Sequence, residues 1–155
     1  MRGYFGIGIV GAKVPENLGT LWRSAQAMGA GFVFTVGKRW PGDRTDTTKA
    51  TDHIPLYHYH DLVAFNGFAR PAGARLVIVE TKIGQYKPVA LPQYQHPERA
   101  IYLLGSEDRG VPKEFIEETT GTLSDRADLV EIPTQFCLNV AVAGSIVMYD
   151  RAAKA

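Results

Sequence analysis

Short apolar runs alternate with stretches of helical periodicity along this chain, and that alternation leaves few folds open. Tyr4–Val10, Phe32–Val36, Arg75–Glu80, Ala100–Leu104 and Asp128–Ile132 are rich in β-branched or aromatic residues and short enough to be strands. Runs apolar at nearly every position suit parallel strands covered on both faces. Helical signals fall between them. Asn17–Met28 carries Leu18, Leu21, Trp22, Ala25 and Met28 on one stripe, with Gly29 as its stop. Asp61–Ala69 is a short helix candidate, and Pro112–Glu118 opens on a proline whose missing N–H costs nothing in a first turn. Leu138–Ala153 is a long final helix. Gly37–Asp52 reads as a polar loop and Lys87–Pro97 as proline-rich and irregular. The expected architecture is α/β, a mainly parallel sheet flanked by helices. With 155 residues and no internal repeat or linker, a single domain over 1–155 is expected.

Composition narrows the class rather than the function. The formal net charge is +1, so no strongly basic face announces a nucleic-acid binder. No apolar run reaches the roughly 20 residues that span a bilayer, so no membrane association is expected. The N-terminus enters a strand-like run at once and lacks signal-peptide character. The lone cysteine, Cys137, excludes an internal disulfide and a multi-cysteine zinc site, and cytoplasmic localisation is expected.

Two constellations invite a functional reading and do not sustain it. Gly6-Ile7-Gly8-Ile9-Val10-Gly11 matches G-x-G-x-x-G, but its first two glycines lie inside a strand and Gly31 occupies the position of the acidic ribose ligand. Close packing of a helix or backbone is the better account. His58-Tyr59-His60, with His53 nearby, has period-2 spacing but no cysteine or carboxylate to complete a zinc set. It reads as a partly exposed strand end, and no metal site is expected.

Three stretches pair glycine or proline with polar residues near strand ends. Asn17-Leu18-Gly19-Thr20-Leu21-Trp22-Arg23 opens a helix, where unpaired N–H groups and the dipole suit an anion; Arg23 falls on a different face from the leucines and tryptophan. Gly105-Ser106-Glu107-Asp108-Arg109-Gly110 follows a buried strand, where open parallel sheets bind ligands; Glu107 could organise the loop or pair with an arginine such as Arg23. Ile132-Pro133 through Asn139 runs from a strand end into the last helix, with Cys137 and Asn139 at the helix start. Taken singly, each is also ordinary capping or turn chemistry, and a buried cysteine behaves as a small hydrophobe.

Together the three stretches resemble the N-x-G-x-x-x-R, G-x-E-x-x-G and I-P…L-N signatures of the SpoU/TrmH branch of the SPOUT RNA methyltransferases, over essentially the whole chain. That resemblance implies a C-terminal trefoil knot, a homodimer and S-adenosylmethionine (SAM) as cofactor. It implies methyl transfer to a ribose 2′-hydroxyl of RNA, with tRNA favoured over rRNA for a chain with no separate RNA-binding extension. Carried over by position, Asn17, Arg23, Glu107 and Asn139 become active-site residues, with Glu107 bracing the motif loops. Val79, Glu80, Thr81, Gly105, Ile132, Cys137 and Leu138 would line the cofactor pocket. The chain departs from the family pattern at Cys137, where serine is usual, and in a short stretch between Pro133 and Cys137. Those departures motivate a competing reading, a catalytically silent knotted protein that binds SAM or RNA. The retained polar set argues against it. In the Gly37–Asp52 loop, Trp40 offers a stacking platform for unpaired RNA.

Overall fold

The computed structural model describes residues 3–37, 53–69, 73–81, 86–120 and 127–155. The strands are β1 (Tyr4–Val10), β2 (Phe32–Val36), β3 (Leu56–Tyr59), β4 (Arg75–Val79), β5 (Val89–Ala90), β6 (Arg99–Gly105) and β7 (Ala127–Glu131). Among the described residues they form one seven-stranded sheet in the order β3-β2-β1-β6-β4-β7-β5. Every neighbouring pair is parallel. The helices are α1 (Pro15–Ala27), α2 (Leu62–Ala69), α3 (Lys113–Thr120) and α4 (Val140–Lys154).

Alternation along the strands sends side chains into two cores. Ile7, Ile9, Val77, Tyr102 and Leu104 pack with Leu18, Leu21 and Trp22 of α1 and Val147 and Met148 of α4. Ile78, Ile101 and Leu103 face the other way, against Phe65 of α2 and Phe115 and Ile116 of α3. A sheet covered on both faces accounts for the nearly unbroken apolar composition of β2 and β6. α1 and α4 lie close together, because a Cβ at Gly144 would sit 2.5 Å from a Leu21 methyl.

The α/β reading holds, with corrections at the margins. Two strands escape it: β3 and the two-residue β5, both at the sheet edges. The Lys87–Pro97 stretch is accordingly not wholly irregular; a 3-10 turn at Leu91–Gln93 follows β5. α1 starts at Pro15, two residues before the expected start, with proline in its first turn. Pro112 stands just before α3, and its carbonyl accepts from the Phe115 and Ile116 amides. Gly29 ends α1 as expected, at φ +85°. Trp40 and its loop lie outside the described residues. No helix of the described residues is long and apolar enough to cross a membrane.

Of the helix or backbone contact expected at the strand glycines, the backbone one is found at Gly8, and aromatic rings fill the rest of the space. Gly6 and Gly8 pair in register with Phe32 and Phe34. A Cβ at Gly8 would lie 2.3 Å from the Phe34 carbonyl oxygen and 2.4 Å from its ring. Gly8→Ala is expected to lower the unfolding free energy by about 1–3 kcal/mol in urea denaturation.

The far end of α4 is clamped by a partly buried polar cluster. Arg151 donates to the carbonyls of Pro97 (2.6 Å) and Glu98 (2.7 Å) and lies over the Phe5 ring. Lys154 donates to the Leu91 and Tyr94 carbonyls at 2.6 and 2.9 Å. His96 lies between Tyr102 (2.6 Å) and Asp150 (2.8 Å). Burial holds its imidazole below the ordinary histidine range, against the opposing pull of Asp150. On acidification the unfolded chain therefore takes up this proton first, so the associated stability is present at neutral pH and is lost as pH falls below about 6.5. Replacing His96 with Gln should flatten the stability curve between pH 7 and 5 relative to the parent, measured by urea denaturation at each pH.

Candidate functional site

The three motif stretches meet at the carboxyl ends of β1, β6, β4 and β7, where the strand order reverses around β6. Open parallel sheets bind ligands at such a crevice. Asn17 reaches it from the first turn of α1, Glu107 from the loop after β6, and Asn139 from the start of α4.

One carboxylate oxygen joins all three. Glu107 Oε1 accepts from Asn17 Nδ2 and from Asn139 Nδ2, both at 3.0 Å. Asn139 Nδ2 also donates to Asn17 Oδ1 at 3.0 Å. The opposite end of the Asn139 carboxamide caps α4: Oδ1 accepts from the amides of Ala141 (2.9 Å) and Val142 (3.2 Å). Extended backbone at Asn139 (ψ 138°) delays the helix to Val140, later than the expected Leu138.

The loop after β6 is folded back on itself. The Gly110 amide donates to the Ser106 carbonyl at 2.8 Å. A Cβ at Gly105 would fall 2.3–2.5 Å from backbone atoms of Gly110 and Val111. Gly110 has φ +65°, and a Cβ there would meet Glu80 Oε2 at 2.2 Å. Glu80 in turn accepts from the Val111 amide at 2.8 Å, tying the end of β4 to this loop. From the other side Lys13 pairs with Asp108, whose other oxygen accepts from Ser106 Oγ at 3.0 Å. The Lys13 ammonium and the Ser106 hydroxyl hold the Asp108 carboxyl below the usual carboxylate range.

Behind this junction lies a cavity of about 350 Å³, within the range of small-molecule sites. All seven residues expected to line a cofactor pocket line it: Val79, Glu80, Thr81, Gly105, Ile132, Cys137 and Leu138. A smaller cavity of about 180 Å³ adjoins it and shares Ser106, Glu107, Asp108 and Val140. Lys13, Val14 and Asn17 also line the smaller one. The walls therefore combine apolar side chains with the charged Glu80, Glu107, Asp108 and Arg109.

Three expectations need correction. Glu107 pairs with the two asparagines and not with Arg23. Arg23 is exposed on α1 and has no hydrogen-bond or ion-pair partner among the described residues. The Asn17 amide is not left open for an anion, since it donates to the Val14 carbonyl at 3.1 Å. Cys137 is exposed rather than buried, so it is no core hydrophobe. The histidines stay apart from this site: His58 Nδ1 lies 2.8 Å from Thr35 Oγ1 on β2. Among the described residues no group of three or more histidines, cysteines and carboxylates could hold a metal ion. Sequence reading missed the Lys13–Asp108 pair and the Glu80 tether, although a charged residue closing an apolar strand run is a visible signal in Glu80.

A family model described as the SpoU rRNA Methylase family matches residues 5–149. The chain belongs to that family. This SpoU-family chain is 28% identical over 143 residues to the mouse tRNA (guanosine(18)-2′-O)-methyltransferase TARBP1. The alignment covers 88% of the chain but 8% of the mouse protein. It is 26% identical over 139 residues to a tRNA (cytidine(34)-2′-O)-methyltransferase of Beijerinckia indica, covering 87% of this chain and 82% of that one. Among solved structures, the AdoMet-bound rRNA methyltransferase of Sinorhizobium meliloti superposes with a TM-score of 0.80 at 24% identity, over 99% of this chain and 57% of that one. A structure described as giving insight into 2-OH methylation of C/U34 on tRNA superposes at 0.79 with 21% identity, over 99% and 97% of the two chains. These likenesses fix the fold of the SpoU-family chain.

The junction generates a two-part expectation. Asn139→Ala removes the α4 cap and both bridging bonds, and should cost at least about 1 kcal/mol in chemical denaturation. Asn139→Ser keeps a capping oxygen but cannot span to Asn17 and Glu107. It should recover most of that stability while remaining defective in any activity the junction supports.

Proposed function

We propose that this protein is a SAM-dependent RNA methyltransferase that modifies a ribose 2′-hydroxyl, with tRNA as its favoured substrate. The observation that carries the reading is the single Glu107 oxygen shared by Asn17 and Asn139, which sets three family motifs around one cavity. Both sequence relatives described above are named as tRNA 2′-O-methyltransferases, which supports tRNA over rRNA.

The cavity fits the cofactor on its own chemistry. Apolar walls from Val79, Leu104, Ile132 and Leu138 suit an adenosyl group, and the lining carboxylates Glu80, Glu107 and Asp108, which outnumber the lining cation Arg109, suit a cationic one. Gly105, with no side chain, lets the Gly110 and Val111 backbone fold over it and so shapes the cavity wall. When bound, SAM supplies an electrophilic methyl group on a sulfonium.

Alignment and proton removal are the tasks left to the protein. Glu107 and Asn139 hold the loops in place. A guanidinium is a fixed cation with donors and no acceptor. Arg23 therefore positions the ribose hydroxyl and its neighbouring phosphate, and the hydroxyl proton leaves through that phosphate. Cys137 lines the cavity without an assigned role in catalysis.

The reading extends to a C-terminal trefoil knot, a cytoplasmic location and a homodimer. For the dimer there is support on α4. Val142, Ile146 and Tyr149 follow one helical stripe and are 47%, 37% and 66% exposed, an apolar strip suited to a second copy.

Methyl transfer from labelled SAM to unmodified bulk tRNA and rRNA, followed by nucleoside mass spectrometry, tests the proposal. A 2′-O-methylated nucleoside is expected, chiefly from tRNA. Arg23→Ala should abolish transfer and leave thermal stabilisation by SAM nearly intact. Label on a base would overturn the chemistry, and equal loss of transfer and cofactor binding would sink the role given to Arg23.

A further inference from the structure

A groove of about 610 Å³ opens on the α2 side of the sheet, towards the amino ends of β1, β2 and β6. It lies roughly one strand length, about 20 Å, from the cavity at the opposite ends of those strands. Its floor is aromatic. Phe32 contacts Tyr4, Tyr57 and Phe68, with ring centroids 5.5–6.0 Å apart. Gly31 leaves the space occupied by the Tyr4 ring, since a Cβ there would fall 2.1 Å from it.

Phe32 is buried beneath these rings, but Tyr4 and Tyr57 are 54% and 44% exposed. Among the described residues lining the groove, Arg99 is the one charged side chain. It is exposed, pairs in register with Tyr4 on the adjacent strand, and has no hydrogen-bond or ion-pair partner among the described residues.

We propose that this groove is a second RNA contact, stacking one or two unpaired nucleotides on Tyr57 and Tyr4 and meeting their phosphate with Arg99. The inference rests on the reading of the protein as an RNA methyltransferase and adds where the RNA is gripped away from the methylated ribose. Exposed π faces bind any base, and an unpaired guanidinium beside them binds phosphate. The cationic balance favours a polyanion over a peptide: a proline-rich segment would use the same rings but leave Arg99 without a counter-charge.

Binding of octauridylate, followed by tyrosine fluorescence and by NMR of the aromatic rings, tests the groove independently of catalysis. Tyr57→Leu should weaken binding about fivefold or more, as expected for loss of one stacked base, while Tyr57→Phe binds nearly as the parent. Arg99→Gln, on the surface, should weaken binding and reduce the slope of log affinity against log salt by about 0.7, the share of one single-strand phosphate. All three variants should keep the parent's thermal stabilisation by SAM, and on tRNA Tyr57→Leu should raise KM with kcat unchanged. Octauridylate affinity unaltered in both Tyr57→Leu and Arg99→Gln overturns the proposal. So does a response of the Tyr57 ring to decaproline and not to octauridylate. If methyl transfer fails but octauridylate binds and responds to these variants, the groove stands and the catalytic reading falls.

Discussion

The Asn139 carboxamide is where the local and the distant parts of this fold are reconciled. Its oxygen is committed to the first turn of α4, and its nitrogen to residues from the other two motif stretches. Neither commitment would hold the geometry alone. A cap fixes the helix start but not its place on the sheet, and side-chain bonds across a partly exposed crevice are each worth only about 0.5–1.5 kcal/mol. Using both ends of one rigid amide couples them. The helix can begin only where the nitrogen can also reach Glu107.

Around that junction the loop after β6 is held by groups that come from every side. Lys13 arrives from the β1–α1 connection, Glu80 from the end of β4, and Asn17 from α1. Gly105 matters because the loop doubles back onto it too tightly for a Cβ, and Gly110 because it holds φ +65° against the Glu80 carboxylate. The shape of the cavity is thus set by backbone and by hydrogen bonds that exist without a ligand. A pocket built this way spends little binding energy on ordering itself.

Much of this was legible in the residues, and the failures have physical causes. β1 and β2 can be bounded to the residue, because their apolar runs end at glycine or polar residues. β3 and β5 cannot, since edge strands need only one covered neighbour and carry mixed side chains; two of the four residues of β3 are exposed. The motif residues identify the site as a set. Which of them touch is another matter. Glu107 finds Asn17 at 90 residues' separation and Asn139 at 32, and an exposed arginine in the same motif was an equally good partner on charge alone. Choice among polar partners is decided by the packing angle of α1 and α4, which no local pattern encodes. The glycine run shows the same limit: close approach of backbone could be read, and is found at Gly8, but not the aromatic rings from β2 that accompany it.

α4 is fastened at both ends, by Asn139 at one and by Arg151 and Lys154 at the other. Twelve residues separate Asn139 from Arg151, about 18 Å along a helix axis. A rod pinned in this way behaves as a strut, unable to slide or tilt at one end without disturbing the other. The pitch of the helix therefore links the carbonyls of Pro97 and Glu98, on the side of the sheet remote from any chemistry, to the distance between two amides and a carboxylate. The tolerance of the cavity is set partly at its antipode.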